Sequence, residues 1–126
     1  MKTTPLKIGG RSFSLAFTLD AMCQMEDAIE GFDISKLSEF VRSPKGLKKM
    51  VFIMAGQGEL LEGRILDVDE AWFGSHISPA PGRIASVQVA VLAALSEGLS
   101  METDDGNEGE KDVVLEELKK KETAAG

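Results

Sequence analysis

The fold is decided near the start of the chain, by the stretch Leu6-Lys7-Ile8-Gly9-Gly10-Arg11-Ser12-Phe13-Ser14-Leu15-Ala16-Phe17. In the two runs that flank Gly9-Gly10 every second residue is apolar, which is the period of a strand with one buried face. A Gly-Gly pair tolerates the positive φ angles of a tight hairpin turn. Because an isolated hairpin is only marginally stable in water, we expect this one to pack on the helices that follow.

A first helix is predicted directly after the hairpin, with Thr18 as its N-cap and Gly31 just past its end near Glu30. At 100° per residue its apolar face holds Leu19, Met22, Met25 and Ile29. Glu26 falls on the same face. A carboxylate packed on the core needs a partner, such as Arg11 or the amides of a neighbouring turn. The alternative is a rotated helix with Glu26 at its rim, and in both cases the role of Glu26 is structural.

Three further helices are predicted before residue 75. A short one covers 35–42, with Leu37, Phe40 and Val41 on its apolar side, and Ser43-Pro44 supplies the N-cap and first residue of the next. That helix buries Leu47, Met50, Val51 and Met54, and we expect it to end at Gly56 and Gly58. Asp67 and Glu70 resemble a capping box that starts a short helix closed by Gly74.

The last predicted helix, from about Gly82 to Leu99, is apolar nearly all round. Its main apolar face is formed by Ile84, Val87, Val91 and Leu95, while Ala85, Val89 and Leu92 cover much of the remaining surface. Such a helix must be buried on more than one side. Either it is the central helix of the domain, or one of its sides contacts another subunit.

Composition and charge indicate one small domain with an acidic tail. The chain has 126 residues, 43% of them hydrophobic, and a net charge of −7. We expect an α+β, mainly α fold at 1–99, with the hairpin on a bundle of about five helices. Residues 100–126 are expected to be a flexible acidic tail, in which 113–118 would form a short helix only when docked.

The same features exclude two kinds of partner. An acidic chain without a basic stripe repels phosphate, so we expect no nucleic-acid binding. The longest apolar run, Val89 to Leu95, is too short for a membrane span, and a signal-peptide pattern is missing. These observations favour the cytoplasm.

The sequence shows no set of residues suited to catalysis, so we predict that the protein is not an enzyme and takes no cofactor or metal. His76, the only imidazole, has no nucleophile or acid at a catalytic spacing, and we expect it to be exposed on a loop. Cys23, the only cysteine, lies in an apolar helix and should act as a small hydrophobic residue. The methionines at helical spacing indicate core packing or, alternatively, an adaptable binding surface.

The segment from Leu6 to Ile29 resembles the start of phage tail assembly chaperones, small proteins encoded between the tail tube and the tape measure. That family opens with a glycine-turn hairpin and a strand ending in an aromatic residue, as Gly9-Gly10 and Phe17 do here. A helix that carries a glutamate follows, as Glu26 does. The similarity covers residues 5–99, through a helix ending near Ala55-Gly56, an acid-capped short helix and a long final helix.

The resemblance implies a noncatalytic factor of viral morphogenesis, encoded by a phage or prophage and working in the host cytoplasm. It would bind the tape measure protein, contact tail tube subunits, self-associate into a spiral or ring, and be absent from the mature virion. This chain would be the short form made without a frameshift. The candidate contacts with partners or other copies are Phe40, Val41, Trp72, Phe73, Val89, Leu92, Val113, Leu115 and Leu118, and structural roles fall to Gly9, Gly10 and Glu26.

Two other functions remain open from the sequence. One is a structural virion component, such as a head–tail connector or a tail completion protein, which would stay in the particle. The other is a bacterial regulatory or antitoxin-like module with a single tight partner. The absence of a basic face already disfavours the nucleic-acid-binding version of that module.

Overall fold

The computed structural model describes residues 2–100, which form a two-stranded hairpin packed on five α-helices. This architecture confirms the predicted α+β, mainly α fold. The predicted tail lies outside the described residues, apart from Ser100. The elements are β1 (Thr4–Ile8), β2 (Arg11–Leu15), α1 (Leu19–Ala28), α2 (Leu37–Arg42), α3 (Pro44–Leu61), α4 (Glu70–His76) and α5 (Pro81–Ser100), with a 3₁₀ turn at Ile34–Lys36 before α2.

The hairpin has the predicted register and turn. Leu6 pairs with Phe13 and Ile8 with Arg11, so that Gly9 and Gly10 form a two-residue turn. Their φ angles are 58° and 79°, as the type I′ turn requires. The apolar side chains of both strands, Leu6, Ile8, Phe13 and Leu15, are buried on one face.

Helix α3 lies at the centre of the core and contacts β2 and the helices α1, α2 and α4. Ser43 caps it, accepting a hydrogen bond from the amide of Gly46, and Pro44 is its first residue, as predicted. The predicted stripe of Leu47, Met50, Val51 and Met54 is buried.

The predicted end of α3 at Gly56 and Gly58 is wrong, because the helix continues to Leu61. Gly58 is buried where the helix crosses β2, and a Cβ atom built there would lie 1.9 Å from the Ser14 carbonyl oxygen. That glycine therefore permits close packing instead of ending the helix. The left-handed residue just past the helix is Gly63, with φ of 80°.

Helix α1 begins at the Thr18 N-cap as predicted, but it is rotated relative to the expected face. Ala21, Met25 and Ile29 are buried, at a spacing of four residues, whereas Leu19 is 74% exposed. This rotation leaves both Glu26 and Cys23 exposed. The alternative with Glu26 at the rim is thus the correct one, and the expectation of a buried Cys23 thiol is wrong.

Helix α4 is also capped differently from the prediction. Its N-cap is Asp69, whose side chain accepts a hydrogen bond from the Trp72 amide at 2.9 Å. Asp67 lies two residues earlier and pairs with Arg11 instead. The helix continues past Gly74 to His76, so His76 is exposed at a helix end and not on a loop.

Candidate partner-binding surfaces

The outer face of α5 is an apolar surface that the described residues leave uncovered. One side of the helix packs on β1, α2 and α3, and buries Val87, Val91, Ala94 and Leu95. On the opposite side Val89 is 66% exposed and Leu92 is 43% exposed. Ala85 and Ser96 continue this line at spacings of four residues and are exposed too. We call these four residues the α5 outer face.

The position of α5 explains why only one of its sides is covered. Near its end, Gly98 lies so close to Phe17 that a Cβ atom there would be 2.3 Å from the Phe17 carbonyl oxygen. Midway along the helix, the Gln88 side chain donates a hydrogen bond to the Val41 carbonyl oxygen at 3.3 Å. Helix α5 thus closes one side of the domain and is not its central helix. By length and composition alone it would also suit a membrane span.

A second group of exposed apolar residues lies around the end of α3. Leu60, Leu61 and Ile65 are exposed there, Ile65 to 83%. Leu19 belongs to the same end of the molecule, because the Thr18 hydroxyl donates a hydrogen bond to the Gln57 side chain at 2.8 Å. This end differs from the α5 outer face in that its residues come from two helices and a loop.

Two of the candidate contacts predicted from sequence are inside the protein. Phe73 is fully buried, with its ring centroid 5.1 Å from that of Phe13 and 6.3 Å from that of Phe52. Val41 is buried as well, on the inner side of α2. Both residues therefore leave the set of candidate contacts, because they stabilise the core and cannot meet a partner in this conformation.

Two other aromatic candidates are half-buried at the edge of the core. Phe40 stacks on Phe32, with 5.6 Å between ring centroids. Trp72 stacks on the His76 ring at 4.0 Å, and the Arg11 guanidinium lies 5.6 Å from its centroid. These contacts cover part of each ring. Val113, Leu115 and Leu118 lie outside the described residues.

The most constrained charged group is Glu59, which the sequence analysis did not single out. Its side chain is buried beside β2, where one carboxylate oxygen accepts a hydrogen bond from the Ser14 amide at 2.9 Å. Arg64 binds the carboxylate with Nε at 2.8 Å and Nη2 at 3.1 Å. The hydrogen bond from Arg64 is the main reason why the pKa of Glu59 lies below its ordinary value. This group has a structural role, since its oxygens are already bonded within the domain.

A sequence signal for Glu59 did exist. It lies four residues after Ala55 and eight after Val51, on the same side of α3. The predicted helix end at Gly56 and Gly58 instead put Glu59 in a loop. A carboxylate in a loop is solvated and gives no reason to expect a buried partner.

Two further sets of ion pairs lie at the surface or at its edge. Arg11 contacts Asp67 at 2.6 Å, and this contact lowers the pKa of Asp67. Glu70 lies 3.6 Å from the Lys48 ammonium and 3.5 Å from that of Lys49. Among residues 2–100, no cluster of His, Cys, Asp or Glu is arranged to hold a metal ion.

Two cavities lie on either side of the connection between α4 and α5. The first, of about 280 Å³, lies between α3 and this connection and is mostly apolar, with Lys45 and Lys48 among its lining residues. The second, of about 320 Å³, lies against β1 and is lined by more polar residues, including Lys7, His76 and Arg83. The lining of the second cavity also includes the hydroxyl groups of Ser78 and Ser86, while Nδ1 of His76 lies 2.8 Å from the Trp72 carbonyl oxygen.

Comparisons of the chain with protein-family models, with curated proteins and with solved structures found no match.

Proposed function

We propose that this protein is a noncatalytic phage tail assembly chaperone, which binds the tape measure protein and self-associates during tail morphogenesis. The proposal rests on the resemblance carried by the N-terminal hairpin, the glutamate-bearing helix and the order of the later elements. Its main structural support is the α5 outer face. Val89 and Leu92 are exposed about one turn apart on this face, and an assembly factor needs apolar surface for other polypeptides.

Self-association by this face is the simplest form of the proposal. A tape measure protein is long, and several copies of a small chaperone are needed to cover it. If the α5 outer face meets a different surface of the next copy, the contact is head-to-tail and produces a spiral or a ring. The exposed leucines at the end of α3 are one surface that the next copy offers.

The test measures self-association of the full chain by sedimentation velocity over a range of concentrations. The variant Val89→Asp/Leu92→Asp places two charges on the α5 outer face without touching the core. We expect association to weaken about tenfold or more, because charge in the centre of an apolar contact is costly. The control is Ala71→Asp, which places a negative charge at an exposed helical position away from the α5 outer face.

Two results would contradict the proposal. The first is a wild-type chain that stays monomeric at high concentration and does not assemble when mixed with the tape measure protein encoded beside it. The second is a variant of the α5 outer face that associates as strongly as the wild type and the control.

The second candidate function is a structural component of the virion, such as a head–tail connector or a tail completion protein. The same exposed face of α5 would serve a permanent contact in the particle. Mass spectrometry of purified virions separates the two functions. We expect the protein to be absent from finished particles and present in cells during tail assembly, whereas a structural component would be recovered with the particle.

A further inference from the structure

The cavity between α3 and the α4–α5 connection has the chemistry of a groove for an apolar, acidic segment. Its walls are formed by Pro44, Leu47, Phe73, Ile77, Pro79 and Ile84. Gly74 and Ser78 complete the lining together with the two lysines. We call this cavity the α3–α4 groove. Because its volume is about 280 Å³, it has room for a few side chains and not for a whole helix.

The two lysines make the rim of the α3–α4 groove positive. Lys45 is exposed and forms no ion pair with any residue in the range 2–100. Lys48 is 3.6 Å from Glu70, which it shares with Lys49, so one carboxylate faces two ammonium groups. An occupant that carries carboxylates next to apolar side chains would therefore complement both the walls and the rim.

The chain itself contains such a segment beyond α5. The sequence Asp112-Val113-Val114-Leu115-Glu116-Glu117-Leu118 places four apolar residues among three acids. We propose that the α3–α4 groove binds this segment of the same protomer, with Leu115 and Leu118 against the apolar walls and Glu116 and Glu117 beside Lys45 and Lys48. The contact would keep the apolar part of the tail covered.

The length of the chain permits this contact within one protomer. Ile84 lines the groove, and α5 continues from there for sixteen residues to Ser100, a rise of about 24 Å. The twelve residues 101–112 can span up to about 40 Å when extended. Val113 can therefore return along α5 to the groove.

The second cavity is a weaker choice for the same segment. It is also lined by positive groups, Lys7 and Arg83, but His76 and Ser86 make its wall more polar. Leucine side chains gain more from the aromatic and aliphatic walls of the α3–α4 groove.

The experiment uses the full ¹⁵N-labelled chain and compares the wild type with Leu115→Ser/Leu118→Ser. This variant keeps both glutamates and removes only the apolar anchors. We expect the docking equilibrium constant to fall by about tenfold for each leucine, because each loses most of its buried apolar area. The readout is a shift in the amide resonances of the groove residues Gly74, Ile77 and Ser78. Met101→Ser, an apolar-to-serine change outside the proposed segment, is the matched control and should not shift them.

Charge reversal in the α3–α4 groove provides a second, independent test of segment binding. Lys45→Glu should move the same amide resonances, since it places a negative charge beside the acidic segment. Lys36→Glu, at an exposed lysine that does not line the groove, should not. Combining Lys45→Glu with Glu116→Lys and Glu117→Lys should restore the wild-type shifts, which loss of folding cannot imitate.

Carbodiimide cross-linking identifies which chain supplies the segment. We expect cross-links from Lys45 or Lys48 to Glu116 or Glu117 in a product of monomer mass. Cross-links found only in a product of dimer mass would overturn the proposal by placing the segment in another copy. Groove resonances that are identical in the wild type and in Leu115→Ser/Leu118→Ser would overturn it as well, and both results are independent of any tape measure protein.

Discussion

Glu59 shows how one buried charge can connect three parts of the fold. Its carboxylate joins the end of α3 to the Ser14 amide of β2 and to Arg64 in the loop after the helix. Removing the charge leaves the Arg64 guanidinium without its partner, although that group is exposed and can be solvated. The carboxylate is nearly enclosed, so the interaction is less screened than a surface pair.

We therefore expect Glu59→Gln to lower the free energy of unfolding by about 1–3 kcal/mol. Chemical denaturation at neutral pH measures this change. Glu62→Gln is the matched control, because Glu62 is an exposed carboxylate one turn later that accepts a hydrogen bond from the Thr3 hydroxyl at 2.8 Å. It should change stability by less than about 0.5 kcal/mol. Equal effects of the two changes would show that burial of Glu59 adds nothing.

The pKa of Glu59 also predicts a dependence on pH. Its pKa in the folded protein is below the ordinary value of 4.5, so the folded state favours the ionised form. The stabilisation is complete above the pKa of the unfolded chain and is lost as the pH falls through the lower pKa of the folded state. Wild-type stability should therefore approach that of Glu59→Gln as the pH falls from 4.5 through the lower pKa of the folded state. Denaturation curves of both proteins at several pH values test this, and a constant difference down to pH 3 would contradict it.

At the scale of the elements, the sequence predicted most of the features that depend on local signals. The two glycines of the hairpin turn, the Thr18 cap and the Ser43-Pro44 start of α3 all act within a few residues, and all were predicted correctly. One local signal was misread, because the N-cap of α4 is Asp69 and not Asp67. Two other errors concern tertiary packing. Gly58 resembled a helix end because its close approach to β2 is invisible without the fold, and the rotation of α1 depends on which side faces α3.

The two glycines within the second half of α3 give a prediction at this scale. Gly58→Ala should destabilise the domain by about 1–3 kcal/mol, because the new Cβ atom would overlap the Ser14 carbonyl group. Gly56→Ala is its control in the same helix, since a Cβ atom there meets only the Leu66 side chain at 4.0 Å. It should stabilise the protein by about 0.5–1 kcal/mol through better helix propensity. Thermal unfolding measures both, and a stabilising Gly58→Ala would contradict the packing described for β2 and α3.

At the scale of the whole molecule, the candidate surfaces differ in how far the sequence could predict them. For the last helix the sequence left two alternatives, a central helix of the domain or a helix with one side free for another subunit. The exposure of Val89 and Leu92 rules out the first alternative. The α3–α4 groove was not anticipated, since Pro44, Phe73 and Ile84 come from three helices that only the fold brings together. The same limit explains why Val41 and Phe73 were wrongly predicted as partner contacts, since their burial depends on neighbours distant in sequence.

The distribution of charge over the molecule leads to the last prediction. The net charge of −7 includes −5 from residues 101–126, so the tails repel each other when copies approach. Changing Asp104, Asp105, Glu108 and Glu110 to their amides removes four negative charges and leaves the net charge at −3. We expect self-association to become stronger by about threefold to tenfold at low salt, and the gain to shrink as salt screens the repulsion.

Sedimentation velocity of the full-length variant, compared with the wild type at low and high salt, measures this effect. Adding Val89→Asp/Leu92→Asp to the four amide substitutions should abolish the gain, because removing repulsion strengthens association only where an attractive surface exists. If the combined variant still associates more strongly than the wild type, the contact lies elsewhere than on the α5 outer face.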